Sequence, residues 1–149
     1  MTQHHNKDTA RKRVVWLMLA LCVIGFFVAL YLTFQHYTGG TPDCSLVQGC
    51  EVVTTSEYAT IFGVPISLFG ALYFFALTIV LFAWLQHGKR AFDAVAGILV
   101  ISGSIIACIL IGIQIFVLDA ICLYCMTADS ISIVLLFLFF YKRAYSFLS

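Results

Sequence analysis

Four stretches of this chain are nearly free of charge, and each is long enough to cross a lipid bilayer. Residues 14–37 carry no Asp, Glu, Lys or Arg, nor do 58–87, and 94–118 is a third clean run; the fourth, 120–141, is interrupted once, at Asp129. A helix rises 1.5 Å per residue, so about 20 apolar residues cover the hydrocarbon core. Backbone in hydrocarbon must satisfy its own hydrogen bonds, and a single apolar run achieves this as a helix. The expectation is an all-α membrane protein: one integral membrane domain over residues 1–149, a four-transmembrane-helix bundle with helices near 14–36, 65–87, 94–117 and 122–144. Composition agrees, with 62% of residues hydrophobic and 10% charged. A water-soluble domain lies nearer half and a quarter. The net charge of +1, with no basic patch interleaved with aromatics, argues against a nucleic-acid partner.

The first run is too long for the h-region of a signal peptide, and no A-x-A-like site closes it, so it reads as a retained span. The polar residues before it, 1–13, are expected to be a frayed tail. Lysine and arginine orient the chain. Lys7, Arg11, Lys12 and Arg13 precede helix one, Lys89 and Arg90 lie between helices two and three, and Lys142 and Arg143 end helix four. The segment 37–64 has none. The positive-inside rule then places both termini and the 88–93 turn in the cytoplasm. Trp16, Trp84, Tyr141 and Tyr145 suit the inner interface, Tyr31 and Tyr37 the outer one.

This topology sorts the six cysteines. Cys44 and Cys50 fall in the first outer loop, and Cys122 and Cys125 at the outer end of helix four. Cys22 and Cys108 sit deep in spans, where a lone cysteine acts as a small packing hydrophobe. The outer compartment permits disulfides. Two structural staples are one reading. A bridge gains most by closing a long loop, however, and Cys122-Leu123-Tyr124-Cys125 would close almost nothing. At a helix start, that spacing lowers a thiol's pKa through neighbouring amide dipoles and favours exchange chemistry. A zinc site is a third reading, although Cys44 and Cys50, five residues apart in between, are loosely spaced for a structural knuckle. Two dithiols on one face suggest a relay that discharges two electrons to an acceptor dissolved in the bilayer, such as a quinone.

Cys44 and Cys50, then Ser56, Gly63-Val64-Pro65 entering helix two, Gly70, and the CxxC opening helix four form an ordered set. It resembles the vitamin K epoxide reductase family in its bacterial stand-alone form. The DsbB-type oxidases also have four spans but carry the CxxC in the first outer loop, the reverse order. The resemblance implies a thiol-disulfide oxidoreductase in the bacterial inner membrane, active on the periplasmic side. It would form disulfides in a separate thioredoxin-fold, DsbA-like periplasmic protein and pass the electrons to ubiquinone or menaquinone. It implies that Cys44 is attacked by the partner, that Cys50 shuttles electrons to Cys122, and that Cys125 faces the quinone ring. Ser56 corresponds to the family's loop Ser/Thr near the quinone head. The vertebrate enzymes have a tyrosine four residues after the second CxxC cysteine. Asp129 stands there, a departure that bears on vitamin K epoxide as a substrate.

Thr54-Thr55-Ser56-Glu57 fits the S/T-x-x-E capping box and predicts a short helix over about 55–62. Its residues Tyr58, Ile61 and Phe62 would lie over the membrane entrance. Ser56, Phe62, Cys125 and Asp129 are thus the residues expected around a quinone. Residues 38–42 read as a turn-rich hinge. A carboxylate inside a span is costly and often functional, which singles out Asp129. Gly97, Gly103 and Gly112 in helix three, with Ser102, Ser104 and Ala107, read as a small-residue packing seam.

Overall fold

The computed structural model describes residues 2–40, 42 and 49–147. Five helices are present among them: α1 (Thr2–Thr38), α2 (Cys50–Thr55), α3 (Ile66–His87), α4 (Arg90–Gly112) and α5 (Leu123–Phe147). Four segments are long and apolar enough to cross a membrane: Thr9–Thr38, Ile66–His87, Arg90–Val117 and Leu123–Ala144. They form the expected bundle. α1 packs against α3 and α5, and α4 against the same two, so the helices stand in a ring with α1 and α4 at opposite corners.

The polar start of the chain departs from expectation. Residues from Thr2 onward are helical and continuous with the first span rather than a frayed tail. Ala, Arg, Lys and Gln are good helix formers, and a long apolar helix already in place supplies the nucleus they extend.

The core of the bundle is a column of interlocked side chains. Val15, Met18 and Cys22 of α1 meet Phe74, Leu77 and Leu81 of α3, Val100 of α4, and Leu135 and Phe139 of α5. Phe27, Phe34, Ile98 and Phe137 all point outward with more than half of their surface bare. In water such a surface would aggregate; here hydrocarbon is its partner, and helices associate by close packing and hydrogen bonds instead. A Cβ on Gly103 would lie 2.4 Å from the Tyr73 ring, and one on Gly97 would lie 2.9 Å from Phe139, so two members of the seam are packing positions. Gly112 has open space at the same test and is not. Hydroxyls tie neighbouring helices. Thr33 Oγ1 lies 3.0 Å from Ser67 Oγ between α1 and α3, and Ser104 Oγ donates to the Ser132 carbonyl at 2.9 Å between α4 and α5.

One end of the bundle carries the basic residues. Lys142, 3% exposed, pairs with the Asp93 carboxylate in the first turn of α4. Its ammonium also lies 4.5 Å from the Trp84 ring centroid, and Arg11 lies 5.3 Å from it. Trp84 therefore faces the bundle interior rather than an interfacial belt. Its ring accepts two cations that would otherwise face apolar neighbours.

Candidate functional site

The site is at the other end. The last turn of α4 opens into a wider π-helical turn, Ile113–Val117, in which the Leu118 amide donates to the Ile113 carbonyl. The chain then crosses to α5 through Asp119, a non-glycine residue with φ 45°, and the Ala120 amide donates to the Gln114 carbonyl at 3.1 Å. The Gln114 side chain is buried. Its Oε1 accepts from the Cys122 amide at 2.9 Å. The residue that opens the CxxC is thereby fastened to α4 by both main chain and side chain of one glutamine.

Cys122 stands just before the first residue of α5, and Cys125 is in its first turn. Both are free thiols, with Sγ atoms 2.7 Å apart, and the Cys125 amide points at the Cys122 sulfur at 3.4 Å. Cys122 lies outside the span. Its thiol is lowered to about 7, chiefly because the Cys125 thiol donates to it, with the amides of Cys125 and Tyr124 adding to this against the opposing effect of burial. The helix-start amides thus contribute to the shift, while the neighbouring thiol contributes more.

α2 lies over this helix start. Cys50, Val53 and Cys122 form one buried cluster, flanked by Leu118, Ala120, Tyr124 and Cys125. The approach depends on Gly49: a Cβ there would stand 2.7 Å from the Ile121 carbonyl oxygen and 2.8 Å from its amide nitrogen. No other residue lets the backbone before Cys50 pass so close to the backbone before Cys122. Cys50 is disulfide-bonded, and Cys22, Cys108, Cys122 and Cys125 are all free. Cys44 and the residues around it lie outside the described residues.

The short helix runs Cys50–Thr55, upstream of the position expected from the capping box. Thr54 and Thr55 donate back to the Cys50 and Glu51 carbonyls at 2.7 Å each, so they close a helix instead of opening one. Ser56 is extended (ψ 158°), its Oγ donates to the Val53 carbonyl, and a single 3₁₀ turn, Glu57–Ala59, follows. The chain then makes a miniature hairpin of β1 (Thr60–Ile61) and β2 (Val64–Pro65), turned by Phe62 and Gly63 at φ 52° and 80°. Phe62 sits at the hairpin tip with its side chain fully exposed. It does not line the site, contrary to expectation: the tight turn aims it away from the bundle.

Between α2, the 3₁₀ turn and the upper ends of α1, α3, α4 and α5 lies a cavity of about 140 Å³. Its wall is mostly aliphatic, with Leu32, Pro65, Ile66, Leu110 and Ile113 among the lining residues. Ser56, Cys125 and Asp129 line it as well, as do Gln114, Tyr58 and His36. Three of the four residues expected around a quinone are therefore brought together. Gln114 was not singled out from the sequence; the available signal was a lone carboxamide in the charge-free run 94–118. Asp129 is 7% exposed, and its Oδ2 has no hydrogen-bond partner among the described residues. Cys22 is buried in the core column, but Cys108 is exposed on the outer face of α4 and packs against nothing central.

The sequence pattern of the Vitamin K epoxide reductase family matches residues 16–140. The chain belongs to the vitamin K epoxide reductase family. The matched stretch takes in both cysteine pairs, Gln114 and Asp129. Membership makes the protein a membrane oxidoreductase, in a family whose chemistry is disulfide formation coupled to quinones. No curated protein matches the chain closely enough to count as a relative.

Proposed function

We propose that this member of the vitamin K epoxide reductase family is a thiol oxidase. It forms a disulfide in a separate thioredoxin-fold protein and passes the electrons through Cys44/Cys50 and Cys122/Cys125 to a membrane quinone. One observation carries the reading: Cys50 and Cys122 share a buried cluster, and Cys125, the next sulfur along, opens into an apolar cavity.

The steps follow from exchange chemistry. A partner thiolate attacks Cys44 of the Cys44–Cys50 disulfide, Cys50 leaves as thiolate, and the second partner thiol completes the partner's disulfide. Cys50 then attacks Cys122 of the Cys122–Cys125 disulfide, Cys125 leaves, and Cys44 reforms the loop bridge. The chain now holds two electrons as the Cys122/Cys125 dithiol. A lowered pKa suits Cys122 for exchange, and burial beside Cys50 keeps competing thiols away. Leu32, Ile66 and Ile113 would flank an apolar ring, with Ser56, Gln114 and Asp129 as polar neighbours for its oxygens. A quinone bound there supplies an acceptor for two electrons and two protons from within the lipid phase. The distribution of lysine and arginine supports both termini in the cytoplasm and the thiols on the periplasmic side of a bacterial inner membrane.

The test is anaerobic mixing of a reduced thioredoxin-fold protein, the purified chain and short-tail ubiquinone or menaquinone, followed by quinol absorbance. Quinol is expected one-for-one with partner disulfide. With a partner whose second thiol is replaced by alanine, attack on the Cys44–Cys50 disulfide should stop at a mixed disulfide between the partner and Cys44, which should accumulate. No quinol with either quinone, together with equal loss of stability on replacing each of the four cysteines, would instead identify structural staples.

A further inference from the structure

Asp129 is the one acidic side chain lining the cavity among the described residues, and the thiol exchange steps give it no part in moving protons. It lies four residues after Cys125 on α5, so the two project from the same helix face, one turn apart. Both line the cavity. The carboxyl is more than nine-tenths buried, and its Oδ2 has no partner among the described residues. The charged partners a buried carboxylate normally needs are at the far end of the bundle, where Lys142 is committed to Asp93. A neutral donor in the same lining is also committed in part: Gln114 spends its oxygen on the Cys122 amide. A lone carboxylate in such a place is costly, and a neutral carboxyl, which carries a proton, is the form that an unpaired apolar setting tolerates.

We propose that Asp129 is the proton-transfer group between the Cys125 thiol and the acceptor oxygen nearest to it. This inference rests on the quinone reading above. As the Cys122–Cys125 bond forms, Asp129 gives its proton to the ring oxygen and takes the proton leaving Cys125. The second thiol proton, from Cys122, completes the quinol. Two thiols and one quinone become one disulfide and one quinol; two electrons and two protons are transferred, and Asp129 ends in the form in which it began. The other titratable lining groups belong to other elements. His36 is exposed at the end of α1 and Tyr58 in the 3₁₀ turn, so neither sits on the Cys125 helix face.

The experiment uses the full chain in lipid nanodiscs, with Asp129→Asn and Asp129→Glu beside wild type. Each is reduced, freed of reductant and mixed with short-tail quinone in a single turnover. Asp129→Asn should slow quinol formation about 100-fold, the low end of general acid–base effects, while Asp129→Glu stays within about 10-fold. A second readout needs no turnover: the infrared carbonyl stretch of a neutral carboxyl should be present in wild type, shift in Asp129→Glu and vanish in Asp129→Asn. Thermal unfolding of Asp129→Asn should be no lower than wild type, since the substitution removes an unpaired group. Equal quinol rates for wild type and Asp129→Asn, or no carboxyl band assignable to Asp129, overturn the inference alone. Wild type yielding no quinol overturns the quinone reading together with it.

Discussion

The two ends of the bundle handle buried charge in opposite ways. At the basic end, Lys142 is buried but fully answered: a carboxylate from α4, the Trp84 face from α3 and the Phe139 ring from its own helix surround it. At the thiol end, Asp129 is nearly as buried and faces a cavity with one oxygen unmatched. The first arrangement locks four helix ends together. The second leaves polar potential unspent where a ligand can meet it. For these two side chains, the buried ammonium is matched where only structure is at stake, and the carboxyl is left partly unmatched where it faces a cavity.

That contrast predicts that substitutions separate by end, with turnover lost at one and stability at the other. The largest effect belongs to the sulfurs. Cys122→Ser or Cys125→Ser should cut quinol formation by a factor of about 10³ or more, because members of one relay fail together. Unfolding in detergent should barely shift; a large loss of stability in either would erase the distinction. Next comes Lys142→Met, which strands Asp93 and should cost about 3 kcal/mol in unfolding, with turnover at permissive temperature near wild type. Adding Asp93→Leu should recover much of the loss. Gly49→Ala tests the closeness of the two thiol segments. Its Cβ meets the Ile121 backbone and must push Cys50 off Cys122, so partner oxidation should slow about 10- to 100-fold in stopped flow.

Smaller effects sharpen the picture of the thiol end. Gln114→Leu removes the acceptor for the Cys122 amide and should destabilise by about 1–3 kcal/mol, with a loosened CxxC visible as faster amide exchange at Cys122. This is the one thiol-end change expected to register in both columns. Smallest is a titration. Thiolate absorbance of the reduced protein should show a step near pH 7 that is missing from Cys122→Ser, since Cys122 is lowered to about 7. The sign is fixed: the thiolate grows in as pH rises through that value, and exchange through Cys122 should quicken with it. A step at the ordinary thiol value of about 8.5 would show that neither the Cys125 thiol nor the helix-start amides act on this sulfur.

The spans were legible because a charge-free run of such length has one solution in lipid. Every span end except the first lies within four residues of the expected position. The N-terminal extension of α1 was not, because fraying and continuation have the same polar composition and differ only in what the segment is joined to. The short helix was misplaced by a motif that two kinds of helix end share. Thr54 and Thr55 bond backward to α2 rather than forward to Glu57, and sequence does not give the direction. Cys50, Cys122 and Cys125 were singled out by their shared outer side, Asp129 by its place inside a span, and Ser56 by the family resemblance alone; the structure puts them in one cluster and the cavity beside it. Gln114 could not, since its role comes from a π turn that no periodicity announces. Phe62 was expected at the cavity from its apolar character, whereas a left-handed turn leaves it exposed and outside the lining.

The widened turn at Ile113–Val117 has a further consequence for how the sulfurs are carried. One surplus residue swings a helix exit by about 100°, the angular step of a single residue. The segment leaving α4 is thereby launched across the top of the bundle, and it needs only residues 118–122 to reach the next helix. The dithiol hangs from a short, taut bridge between two rigid posts. Its position is inherited from the frame, so catalytic cysteines transplanted onto an evenly wound hairpin of equal length would point elsewhere.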